Sequence, residues 1–149
     1  MAAGRAHDNR NDASRRRLAA LIAPLTDADL RLRTHDRWTI QADLAHLAYW
    51  DRATLLRWQR HRAGIQLVYT PDALTDVLNE AALDFWTALD PRWVADEVIA
   101  AADALDREIV SLPDALLEGA AREFPTLLNR GHHREEHIAE IERVLSARR

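Results

Sequence analysis

Along most of this chain apolar residues recur at helical spacing, and glycine and proline fall where those stripes end. Leu18, Leu21, Ile22 and Leu25 stand at i, i+3, i+4, i+7, a pattern that puts them on one side of a helix. Trp38-Thr39 opens a second stripe, with Thr39 as N-cap, that carries Ile40, Leu44, Leu47, Leu55 and Trp58 as far as Gly64. Thr70-Pro71 restarts the chain, and Leu74, Val77, Leu78, Ala81 and Phe85 form a third stripe stopped by Pro91. Val94, Val98, Ala101, Leu105, Ile109 and Leu112 make a fourth, closed by Pro113. A last helix is expected to begin between Gly119 and Pro125 and to reach about Ala147, with Ile138, Ile141, Val144 and Leu145 inward. A sheet protein would need period-two segments and frequent turns. With only 4 Gly and 5 Pro, this chain has few turn formers and reads as all-α. The stretch between the second and fourth stripes is too long for a tight hairpin and suits a crossover connection.

At 149 residues the chain is about one domain long. Residues 1–12 are polar and read as a flexible leader, and 13–149 as a single helical-bundle domain. The net charge of −4 offers no clustered positive surface for nucleic acid. All 20 basic residues are Arg, so no lysine is present to form a Schiff base. Cysteine is absent, which excludes disulfides, thiolate ligands and a protein thiol nucleophile. No signal peptide or membrane span is evident, and the expected location is the cytoplasm.

Chemistry, if there is any, rests on the seven histidines. His133 and His137 are four residues apart, so both imidazoles stand on one side of the last helix, as chelation of a metal requires. His132 points with Glu136 towards solvent. A metal site needs at least a third ligand. His46 is the best candidate, on the flank of the second stripe with Asp43 one turn back and Trp50 one turn on. His7 sits in the leader, His35 in a polar connector and His61 at a helix end between Arg60 and Arg62. Spacing alone leaves a rival open, in which the pair is two surface imidazoles and His46 a satisfied core histidine. If His46, His133 and His137 hold one ion, each must be neutral, and binding should weaken through the imidazole range near ~6.5.

Trp38-Thr39, Leu44-Ala45-His46-Leu47-Ala48, Trp50-Asp51 and the final His133-x-x-x-His137-Ile138 with Ile141 carry a resemblance. They are similar to the DinB/YfiT-like superfamily of metalloenzymes, from about Arg15 to Leu145. The resemblance implies a four-helix bundle of up-down-down-up order, with a crossover holding an extra helical segment. It implies a metal triad at His46, His133 and His137. It also implies a transferase or hydrolase acting on adducts of low-molecular-weight thiols, such as bacillithiol or mycothiol, or on other electrophilic small molecules. The alternative is a non-catalytic stress or resistance protein that binds a ligand or partner in the same bundle. The mycothiol-dependent maleylpyruvate isomerase branch usually has Glu where this chain has His133 and often carries a second C-terminal domain, so that activity is not expected. Asp76-x-x-Asn79 resembles a short motif of some bacterial members, and is equally readable as a polar helix face.

Three neutral imidazoles would leave the ion its charge and an open coordination position. Zinc or nickel is expected first, then iron or copper. Asp43, Asp51 and Glu136 are weaker candidates for orienting ligands or moving protons. A low-molecular-weight thiol is a further expected cofactor, and the expected partner is a small-molecule substrate, with no nucleic acid and no membrane. The five Trp, Trp86 and Trp93 among them, suggest a homodimer interface.

Overall fold

A computed structural model describes residues 5–148, and among them there is no β-strand. Eight helices occur in this part of the chain. They are α1 (Ala6–Ile22), α2 (Asp27–Leu30), α3 (Ile40–Arg62), α4 (Asp72–Ala88), α5 (Pro91–Ser111), α6 (Asp114–Glu123), α7 (Pro125–Leu128) and α8 (Arg130–Ala147). The all-α expectation holds. α1 packs on α5 and α8, and α3 packs on the same two helices, so these four enclose the core. α4 lies outside that circuit, against α3.

Local signals account for many of the boundaries. Thr39 caps α3 as expected, its hydroxyl accepting the Ala42 N–H at 3.1 Å. A cap of this kind contributes about 1 kcal/mol. Beyond the end of α3, Gly64 takes φ of +92°, a conformation that side chains other than glycine resist. Asp90 caps α5 through Trp93 N–H, with Pro91 as the first helical residue. The polar connector expected after α1 holds a short helix that was not expected. Thr26 and Asp29 cap α2 reciprocally, a Thr-x-x-Asp variant of the capping box.

Three expectations are corrected. The supposed leader is helical from Ala6, and His7 and Asn11 are buried; Met1–Gly4 lie outside the described residues. Asn11 explains the difference, because its amide donates to Leu128 C=O at 2.8 Å while its carbonyl accepts Gly131 N–H at 3.0 Å. A polar start was therefore a docking segment. The last helix begins only at Arg130, since Pro125 opens the separate α7 and Asn129 (φ −88°, ψ 80°) breaks the ladder. The third apolar stripe does not enter the core. Leu74, Val77 and Phe85 of α4 are exposed, and Leu83 and Trp86 are buried instead.

The interior has two apolar clusters. One joins Leu18, Leu44, Leu47, Val98, Ile138 and Ile141; the other joins Trp58, Leu105, Ile109 and Leu127 with neighbours from α6. Where they meet, the core is polar. Arg134 is fully buried there and bonds to Asp51 of α3 and Asp106 of α5 at 2.8–3.1 Å. Its Nη1 also donates to Asn11 C=O on α1 at 3.1 Å. One guanidinium thus touches all four enclosing helices.

Candidate metal centre

His46 comes from the second turn of α3, and His133 and His137 from successive turns of α8. The packing of α3 on α8 brings the three together, which the spacing of the His133 and His137 pair had left open. One ring nitrogen from each lies within 4.8 Å of the others. Nε2 of His46 is 3.0 Å from Nε2 of His133, and the ring centroids are 4.8–5.0 Å apart. Nitrogens bound tetrahedrally to one zinc sit roughly 3.3 Å apart. The cluster is therefore close to the size that a shared ion demands. The remaining histidines stand elsewhere: His35 stacks on Trp38, His61 lies near Trp58, His7 is buried beside Asp8, and His132 is exposed.

Two indoles wall the cluster. Trp38 and Trp86 meet the His46 ring at 5.4 and 5.5 Å, edge to face. Trp86 therefore belongs to the core beside the site. The Trp of the Trp-Thr motif has a double position, next to the helix cap and against the imidazole. Trp50 gives its indole N–H to Asn79 Oδ1 at 2.8 Å. That contact anchors the second residue of the Asp76-x-x-Asn79 pair, whereas Asp76 is exposed. The Asn79 carbonyl is taken by Trp50, and no hydrogen bond joins Asn79 to the imidazole of His46.

The weaker carboxylate candidates separate. Asp43 is fully buried, neither of its oxygens has a hydrogen-bond partner, and Oδ1 lies 3.5 Å from His137 Nδ1. A buried carboxylate without partners is costly. An ion on His137 Nε2 would leave Nδ1–H free to donate to it, the usual carboxylate–histidine support of a metal ligand. Asp43 therefore fits a metal. Asp51 acts at one remove, accepting from both Arg130 and Arg134. Glu136 lies on the exposed side of α8, paired with His132 at 3.2 Å, and does not join the triad.

Arg130 sets a condition on coordination. Its Nη2 is 3.1 Å from His133 Nδ1. A guanidinium can only donate, so Nδ1 here accepts and Nε2 carries the proton, directed at His46 Nε2. For His133 to ligate through Nε2, the proton must move to Nδ1 and Arg130 must turn that Nη2 away. Asp51 at 2.9 Å and Thr126 C=O at 3.2 Å retain the rest of the guanidinium.

Electrostatics favours neutral ligands. Burial first, then His137, lowers the His46 pKa to about 3. Burial first, then Arg130, holds His133 well below the usual imidazole range. These two imidazoles therefore stay neutral below the ~6.5 region through which metal binding was expected to weaken.

A cavity of about 360 Å³ opens beside the cluster, bordered by His46 and His133 and by Trp50, Arg57, Tyr69 and Arg130. Arg57, Arg130 and the Arg134 network were not foreseen as part of the site. A signal was present. Arg130 and Arg134 precede Ile138 and Ile141 at i, i+4, i+8, i+11, and a cation on an apolar line implies a buried partner.

Fold and site together define a helical protein that gathers three imidazoles from two packed helices at the wall of a cavity. The family model of the DinB superfamily matches residues 10–141, and the chain belongs to that superfamily. No curated protein and no solved structure matches it.

Proposed function

We propose that His46, His133 and His137 hold one divalent ion, with zinc or nickel as the first choice, in a transferase or hydrolase of low-molecular-weight thiol adducts or electrophilic small molecules. The carrying observation is the convergence of three imidazoles, two of them disinclined to protonate, at the edge of a cavity large enough for a small molecule. A cluster buried away from any cavity would favour a structural role. A divalent ion held by three neutral ligands supplies Lewis acidity, which lowers the pKa of a thiol or water that joins it.

The chain's own residues divide the remaining work. Asp43 is placed to hold the His137 tautomer with Nε2 free. Asp51 holds the Arg130 guanidinium in place when its Nη2 turns away from His133. Trp38 and Trp86 exclude water from the far side of His46. With no Cys in the chain, a thiol nucleophile must be a small molecule. The circuit of α1, α3, α5 and α8 supports the bundle reading, with α4 inside an α3-to-α5 crossover.

Elemental analysis of protein purified without a His tag tests the site, and close to one equivalent of metal per chain is expected. Metal-dependent cleavage or transfer of a thiol conjugate tests the activity. A full complement of metal with no turnover of any such conjugate would favour the binding-protein alternative.

A further inference from the structure

His46, Trp50, Thr54 and Arg57 stand at i, i+4, i+8 and i+11 of α3 and so form one line along the helix. All four border the same cavity. The line ends on a cation that the protein does not neutralise. Among the described residues Arg57 has no carboxylate within ion-pair distance, and its one hydrogen bond runs from Nη2 to Thr70 Oγ1. Its guanidinium lies 6.0 Å from the centroid of the Trp50 ring. Arg130, the other cation at this cavity, is already engaged by Asp51, the Thr126 carbonyl and His133.

We propose that Arg57 is an anion subsite, and that the cavity takes an elongated small molecule with a carboxylate or phosphate at Arg57 and its reactive end at the histidine cluster. The second half of this statement rests on the metal reading; the first does not.

Three observations support it. Burial, and then the neighbouring Arg130, disfavour the charge on Arg57, and a bound anion would relieve both penalties. A guanidinium has five N–H donors arranged to grip an oxyanion, and only one is used here. The acidic groups at the cavity do not compensate. Asp72 takes the Tyr69 hydroxyl at 3.3 Å, and Glu136 is largely exposed and paired with His132. Length follows from the helix. Residues 46 and 57 are about 16 Å apart along the axis, and the long Arg57 side chain, reaching back over Trp50, shortens the gap between the two ends. A simple anion cannot span that distance, so the ligand has two ends with the face of Trp50 between them.

The test uses chelator-treated protein, so that no ion competes for the anion. Benzoate, phenyl phosphate and the neutral benzamide are titrated by calorimetry into wild type, Arg57→Gln and Arg57→Lys. Wild type should bind at least one of the two anions clearly more tightly than benzamide, and the preferred anion identifies carboxylate or phosphate as the natural group. Arg57→Gln should weaken that anion roughly ten- to a hundredfold and leave benzamide unchanged, with Arg57→Lys in between. Equal binding of anions and benzamide by wild type would overturn the proposal without any variant. So would unchanged anion binding by a folded Arg57→Gln. Metal content of each protein is measured separately. Anion binding without metal uptake would spare Arg57 and defeat the histidine reading, and metal uptake without anion binding would do the reverse.

Discussion

His132 and His133 are adjacent in sequence and opposite in circumstance. His132 is exposed and paired with Glu136, while His133 is joined to His46 and Arg130. His133→Ala is expected to remove most bound metal and His132→Ala to remove little, as elemental analysis would show. Equal retention by the two variants would refute the triad. His46 gives a second expectation, for the metal-free protein. In the unfolded chain it takes up a proton near ~6.5, and in the fold only near about 3. Between those values the unfolded state holds the extra proton, so stability is complete above the window and declines as pH falls through it. The slope is about 1.4 kcal/mol per pH unit for one such histidine, and His133, shifted in the same direction, steepens it. Urea midpoints should be lower at pH 5 than at pH 7. A midpoint that did not move would mean that these imidazoles are not buried in neutral form.

His133 and His137 were legible in the sequence because i, i+4 spacing survives any packing of the helix that carries it, and His46 because it stands on the flank of an apolar stripe within a family motif. The support around them was not. Asp51 reads as a surface charge until Arg130 and Arg134 arrive from a helix eighty residues away, and no local pattern encodes that meeting.

At the scale of elements, α8 is held closely against α1 at its start. A Cβ on Gly131 would stand 2.9 Å from the Arg10 carbonyl oxygen and 3.1 Å from its carbon, both backbone atoms of α1. Gly119 of α6 has nothing within 4 Å. Alanine gains about 1 kcal/mol of helix propensity over glycine in a helix interior, and that gain should appear at Gly119→Ala. At Gly131 the clash, on the order of 1–3 kcal/mol, outweighs it and forces α1 and α8 apart. Opposite signs of the two changes in chemical denaturation are expected; a stabilised Gly131→Ala would mean that the close approach is absent.

α4 is the converse case, a helix whose period was read correctly and whose direction was not. Its stripe of Leu74, Val77 and Phe85 faces outward, with Phe85 76% exposed, and Trp93 of α5 is also exposed. Period fixes which residues share a face; only the rest of the fold decides what that face meets. We propose that the homodimer expected from the tryptophans uses this face, since Trp86, first grouped with the interface, is buried beside His46. Sedimentation at micromolar concentration should give twice the 17.0 kDa chain mass, and Phe85→Glu should return it to one. A monomeric wild type would remove the proposal.

At the scale of the whole molecule, Arg134 ties α1, α3, α5 and α8 to one point. Breaking a buried ion pair by removing one partner costs about 3–5 kcal/mol, because the charge left behind stays desolvated. Undocking α3 or α5 would have the same result, leaving Arg134 facing one carboxylate instead of two and opening the interior to water. Partial opening is therefore penalised at the layer that separates the two apolar clusters, and the halves of the interior are coupled to melt together. The histidines borrow that coupling, since α3 and α8 cannot separate at His46 and His133 without also drawing Asp51 from Arg134. Parting the ligand nitrogens by separating α3 from α8 is thus an event of global unfolding, not of local breathing.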